Sequence, residues 1–111
     1  MEKKLTLNKI IDTAPSLELK IMNKKFSDET IQPREGKDDL YLFSCGFLND
    51  STFINIQFIK VYFELGALNH CRFENCTFTA AVFKNIHIDQ CVFTNCQFIN
   101  ELPKEITNNS D

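Results

Sequence analysis

Four cysteines, Cys71, Cys76, Cys91 and Cys96, form two close pairs, the pattern in which thiolates elsewhere supply a tetrahedral zinc set. The fifth, Cys45, stands apart. His70 directly precedes Cys71, the order of a base beside a thiol nucleophile, and His87 has Asp89 two residues on, the order of an imidazole with a carboxylate to orient it. No glycine-rich phosphate loop, no carboxylate pair for a cleft and no serine–histidine–aspartate set accompanies them. What these residues can do depends on the elements that hold them.

Those elements follow from a period of five. Phe53, Phe58, Phe63, Phe73, Phe78, Phe83, Phe93 and Phe98 recur at that step, with Leu68 and Ile88 on the two vacant beats, so ten units run from Ser51 to Asn100. A helix of about 3.6 residues per turn would scatter these side chains around its circumference. A flat strand would send alternate ones to opposite faces. All share one core only if the chain turns a corner in every unit, which predicts a solenoid with polygonal coils and the aromatics on its axis.

The position two before each central residue holds Cys45, Ser51, Ile56, Val61, Gly66, Cys71, Cys76, Ala81, Ile86, Cys91 and Cys96. All are small or apolar, and residues two apart on a strand point the same way, so this column also faces inward. All five cysteines therefore read as core filler, and no metal site is expected. The remaining positions carry the polar set, among them Asn55, Lys60, His70, Arg72, Glu74, Asn75, Lys84, Asn85, Asp89, Asn95 and Asn100. Both histidines fall there. His70 and Cys71 then point to opposite sides, and His87 with Asp89 reads as a solvated pair. No cofactor and no catalytic residue is expected, because a rod filled by its own aromatics leaves no pocket.

The 111 residues allow one domain with a modest core, and 43% hydrophobic with 24% charged residues is ordinary for a globular chain. A net charge of −3 gives no reason to expect a nucleic-acid or membrane-surface binder. No apolar run reaches a membrane span and no signal peptide is visible, so any membrane tie would come through flanking segments. Residues 1–15, with Leu5, Leu7, Ile10 and Ile11 before Pro15, predict a short amphipathic cap over one end of the coil. Residues 16–100 are the repeat, with Ile21, Phe26 and Ile31 already on the beat. Residues 32–39, holding Pro33 and Gly36, predict an exposed loop. The beat resumes at Leu42 and Phe47 and then slips by one, which predicts a bulge at Asn49–Asp50. Residues 101–111 form a polar tail.

A central Phe or Leu, a small residue two before and Asn two after is similar to the pentapeptide-repeat family. That resemblance implies an all-β, right-handed quadrilateral β-helix with four units per coil. Phe53, Phe73 and Phe93 would then stack, as would Phe58, Phe78 and Phe98, with Asn55, Asn75 and Asn95 as an outward amide column. Cys71 and Cys91, like Cys76 and Cys96, would lie one coil apart, about 5 Å and within disulfide reach, but parallel side chains suit a bridge poorly and free thiols are expected. Some members of the family imitate DNA. Between residues 51 and 100 the acids Glu64, Glu74 and Asp89 are balanced by Lys60, Arg72 and Lys84, so mimicry is not expected here.

Within the family, Phe63-Glu64, then Phe73-Glu74-Asn75-Cys76-Thr77-Phe78 and Val82-Phe83-Lys84-Asn85, resembles the large luminal domains of the synaptic vesicle glycoprotein 2 proteins, as does Lys20-Ile21-Met22-Asn23-Lys24-Lys25-Phe26-Ser27. The loop at 32–39 has no counterpart in that pattern. The resemblance implies a domain in the synaptic vesicle lumen that faces the cell exterior after exocytosis. It also implies a receptor for botulinum neurotoxin type A, whose receptor-binding domain adds a strand to the open edge beside a glycan. Asn75, in Asn75-Cys76-Thr77, is the first glycosylation candidate, with Asn49 and Asn108 as weaker ones. The partner edge would comprise Asn75, Thr77, Thr79, Lys84, Asn85, Thr94, Asn95 and Asn100. The alternative is a cytoplasmic pentapeptide-repeat scaffold with another partner.

Overall fold

The computed structural model describes residues 5–13, 19–42 and 46–99. One short helix, α1 (Leu7–Thr13), precedes strands of two to four residues. The first coil holds β1 (Lys20–Met22), β2 (Lys25–Ser27), β3 (Thr30–Ile31) and β4 (Leu40–Tyr41). The second holds β5 (Phe47–Asn49), β6 (Thr52–Ile54), β7 (Gln57–Ile59) and β8 (Val61–Glu64). The third holds β9 (Ala67–Asn69), β10 (Arg72–Glu74), β11 (Thr77–Thr79) and β12 (Val82–Lys84). The last adds β13 (His87–Asp89), β14 (Val92–Thr94) and β15 (Gln97–Ile99).

Pairing is parallel throughout and joins each strand to its counterpart one coil away. The result is four sheets, β1-β5-β9-β13, β2-β6-β10-β14, β3-β7-β11-β15 and β4-β8-β12, an all-β parallel solenoid with four faces. No described helix is long and apolar enough to cross a membrane.

The corners are set by backbone conformation. Twelve residues, each two beyond a central one, have φ between 49° and 59°. Seven are Asn or Asp (Asn23, Asp28, Asp50, Asn55, Asn75, Asn85 and Asn95), and five are Lys60, Leu65, His70, Ala80 and Gln90. A left-handed residue turns the chain between faces, and Asn and Asp carry the smallest penalty among side-chain-bearing residues. The abundance of asparagine is thus a backbone requirement as well as an outward column.

The phenylalanine stacks form as expected. Phe53, Phe73 and Phe93 stand in register, as do Phe58, Phe78 and Phe98. Ring centroids along a stack are 4.8–4.9 Å apart with planes 4–11° from parallel. Between stacks the rings meet edge to face, as Phe58 meets Phe63 at 5.5 Å and 64°. Ring spacing equals strand spacing, so one stack satisfies both the ladder and the aromatic contact.

The slip lies elsewhere than expected. Leu48, not Phe47, takes the inward position, paired with Ile21 and Leu68 and 1% exposed. Phe47 lies on the outer side between Lys20 and Ala67. From Leu48 to Phe53 the step is five, so Asn49–Asp50 forms no bulge, and Asp50 is an ordinary corner residue with φ 49°. Gly46, not Cys45, is the buried residue two before the centre, and Cys45 lies outside the described residues. The separation of paired residues falls from 27 at Thr30–Gln57 to 21 at Tyr41–Tyr62 and 20 at Leu48–Leu68. The loop between β3 and β4 therefore carries six inserted residues, and one more lies between β4 and β5.

The cap is α1. Thr6 Oγ1 accepts the Lys9 N–H at 3.0 Å, the bond of an N-cap residue. Glu29, two before the central Ile31 and so at an inward position, turns its carboxylate to the helix start instead. It accepts the Leu7 N–H at 2.8 Å, the Asn8 N–H at 3.0 Å and the Asn8 side chain at 3.0 Å. Leu7 is buried, with Ile10 and Ile11 packed on the core, whereas Leu5 stays 49% exposed. The inserted loop also holds the helix: Arg34 donates to Asp12 at 2.9 Å and to the Asn8 carbonyl at 3.3 Å. Gly36, φ 83°, closes an Arg34–Lys37 turn that a side-chain-bearing residue would strain. Pro15 and residues 100–111 lie outside the described residues.

Candidate functional site

The cysteines are hydrogen-bond donors to the coil beneath. Each S–H meets the carbonyl of a central residue 23 positions earlier: Cys71 to Leu48 at 3.1 Å, Cys76 to Phe53 at 3.3 Å, Cys91 to Leu68 at 3.3 Å and Cys96 to Phe73 at 3.2 Å. Ser51 holds the same inward column, its hydroxyl donating to Asn49 O at 2.9 Å and accepting the Lys24 N–H at 3.1 Å. All four described cysteines are free thiols. Within each stack, the neighbouring sulfur and then burial push the Cys71 and Cys76 thiols well above the ordinary cysteine range. The neighbouring thiol in turn lowers Cys91 and Cys96, against burial.

Both histidines are exposed. Asp89 faces His70 of the preceding coil, with His70 Nε2 4.0 Å from Asp89 Oδ2, rather than pairing with His87. Asn49 and Asn69 form an amide ladder on the same face, Asn69 Nδ2 donating to Asn49 Oδ1 at 2.9 Å.

The two ends of the rod differ. On the first coil, β1 and β2 each begin with an exposed lysine, Lys20 and Lys25, and α1 lies over β3. Charged side chains and a covering helix are the usual protections of a sheet edge. On the last coil, β14 (Val92–Thr94) and β15 (Gln97–Ile99) carry no charge and no proline. One coil earlier, the Asn75 N–H donates to Thr94 O at 2.9 Å, the His70 N–H to Asp89 O at 2.9 Å, and Cys76 O accepts the Gln97 N–H at 3.0 Å. The equivalent Asn95 N–H, Gln90 N–H and Cys96 C=O have no partner among the described residues. Phe98 is only partly buried, where Phe58 and Phe78 below it are 0% and 1% exposed.

The expected edge residues divide into two groups. Asn75 and Asn95 turn the corner between the β10–β14 and β11–β15 faces, with Thr94 just before it and Thr77 and Thr79 just after. Lys84 and Asn85 belong to the diagonally opposite corner, between the β12 and β13 faces, and Asn100 lies outside the described residues. Of the sequons, Asn75 is exposed at its corner. Asn49 is half-buried in the amide ladder, and its Ser51 is 1% exposed. Asn108 lies outside the described residues. Sequence reasoning missed Glu29 and the lysine-guarded first coil. The signal for the first was the charge of Glu29 at an inward beat that should have been apolar.

The fold and this edge define a parallel β-helix with one guarded end and one end that no described residue covers. Compared with known proteins, the chain matches no family model and no curated protein sequence.

Proposed function

We propose that this chain is a non-catalytic protein-recognition module that accepts a further β-strand along the edge of its final coil. The observation that carries this is the asymmetry of the two ends: lysines and a pinned helix on the first coil, uncharged strands whose Asn95 N–H and Cys96 C=O have no partner among the described residues on the last. Backbone groups along such an edge give affinity to any extended segment, and the outward side chains Thr77, Thr79 and Thr94 give selectivity. The absence of an acidic surface along the repeat weighs against a nucleic-acid mimic.

In its particular form the proposal follows the resemblance to the synaptic vesicle glycoprotein 2 luminal domains. The partner is then the receptor-binding domain of botulinum neurotoxin type A, and the domain is luminal, glycosylated at Asn75 and tied to the membrane through flanking segments. An exposed corner asparagine beside the bare edge supports this, because a glycan there projects from the ladder without breaking it. The test pairs a pull-down by the toxin domain, on wild type and Asn75→Gln made in secretory cells, with amide exchange in the complex. Strand addition protects the Gln90 and Asn95 amides. Binding by neither form overturns the toxin partner, and a complex that leaves those amides exchanging overturns strand addition.

A further inference from the structure

Cys76 and Cys96 hold the same inward position one coil apart, since Thr77 and Gln97, which follow them, are register partners. The Gln97 N–H donates to the Cys76 carbonyl at 3.0 Å. Both thiols point the same way. Cys76 donates to Phe53 O at 3.3 Å and Cys96 to Phe73 O at 3.2 Å, and those two phenylalanines are themselves paired in register. The sulfurs are therefore one strand spacing apart, about 5 Å, with the Cα atoms inside the range a disulfide spans. Direction, not distance, separates them in this pose, and rotating Cys96 about χ1 to another staggered rotamer removes that obstacle.

Only this pair has room for the rotation. Cys71 and Cys91, stacked in the same way, are 0% and 3% exposed. Cys96 is partly exposed, in a unit whose Phe98 is also only partly buried. The neighbouring Cys76 sulfur holds the Cys96 thiol below its ordinary range, against burial, which favours the nucleophilic thiolate.

We infer that Cys96 and Cys76 form a reactive thiol pair that a hydroperoxide oxidises to an intramolecular disulfide. Cys96 is the attacking thiolate. Its sulfur bonds to one peroxide oxygen, the O–O bond breaks, and the departing oxyanion takes up the proton that Cys96 had released. The Cys76 sulfur then attacks the sulfenic acid on Cys96. An S–S bond forms, the S–O bond breaks, and the hydroxide leaves as water with the Cys76 proton. The two thiols lose two electrons and the peroxide gains them. Two S–H bonds to main-chain carbonyls are thereby exchanged for a covalent tie between the third and last coils. This site stands whether or not the final-coil edge takes a strand.

The full chain, reduced and then treated with hydrogen peroxide under native conditions, should lose the mass of two hydrogens. Peptide mapping without reductant should place the new bond between Cys76 and Cys96, and a dithiol should reverse it. Cys76→Ser should instead stop at a sulfenic acid on Cys96, trapped by dimedone; serine suits this inward column, which already holds the buried Ser51. An unchanged mass, a bond at any other pair or between two chains, or oxidation of Cys96 without bridging overturns the pair. A folded Cys76→Ser whose Cys96 takes no dimedone overturns Cys96 as the attacking thiol. Should that variant fail to fold, the mapped bond of the unaltered chain decides by itself.

Discussion

The Cys76 thiol donates to the carbonyl of Phe53, 23 residues earlier, at 3.3 Å, and one coil later Cys96 repeats the bond to Phe73 at 3.2 Å. A residue type that looks like chemistry is, in this fold, an inter-coil tie. Its small volume fits the inward column, and its weak S–H meets a main-chain carbonyl there.

Alkylation should therefore separate the four described thiols. Cys96, partly exposed and lowered by the neighbouring Cys76 sulfur, reacts first at pH 8. Cys71 and Cys76, buried and raised, react about tenfold or more slowly, until denaturant opens the coil. Mass spectrometry of a timed iodoacetamide series reads the order, and equal rates contradict the tie.

Corner residues that are not Asn, Asp or Gly hold an unfavourable backbone. Leu65, at φ 59° and 51% exposed, loses little by substitution and sits where a left-handed residue is needed. Leu65→Asn should raise stability by about 1 kcal/mol, and Asn75→Val should lower it by about 1–2 kcal/mol. Urea unfolding of the two variants measures both signs.

Phe78 touches six other rings: Phe58 and Phe98 in its own stack, and Phe63, Phe73, Phe83 and Phe93 in adjacent ones. Truncating Phe78→Ala should cost about 3–5 kcal/mol, whereas Phe98→Ala, in the half-covered last coil, should cost about half of that. A thermal melt that ranks them the other way would show the final coil to be the better packed one.

Glu29 joins the first coil to its cap. Glu29→Ala removes three hydrogen bonds to Leu7 and Asn8 at once and should destabilise by about 1–3 kcal/mol. The amides of α1 should then exchange faster while those of β10 and β11 keep their protection. Uniform loss across the ladder would mean that the cap and coils unfold as one unit.

In a secretory host, Asn75 should be glycosylated in folded protein and Asn49 should not. A glycan at Asn49 would displace the 2.9 Å amide contact with Asn69 beside the buried Ser51. Peptide mapping of secreted material distinguishes the two sites.

The core was legible in the order of residues because each five-residue unit repeats one local instruction. Phe and a small residue two before it specify two inward positions, and Asn two after it an outward one. Stacking twenty residues apart is what the family resemblance implies, and the corner role of Asn comes from its backbone conformation. That reading located the Phe53–Phe73–Phe93 stack and the burial of Cys71 and Cys76. It mistook Phe47 for Leu48 because two apolar neighbours both fit a beat, and only pairing with Ile21 and Leu68 chooses between them. Among the expected edge residues it could not see that Lys84 and Asn85 turn the far corner.

By itself, then, the sequence determined the period, the two inward columns and a solenoid with polygonal coils, since these depend on contacts that recur with every unit. That the coil has four sides was implied only by the family resemblance and is shown by the strand pairing. The tertiary structure alone decided how the ends differ. The reach of Glu29 back to Leu7, the hold of Arg34 on Asp12 and the meeting of Tyr41 with Tyr62 each occur once. They join residues more than twenty positions apart across a break in the repeat, and no local pattern encodes where such a break brings them.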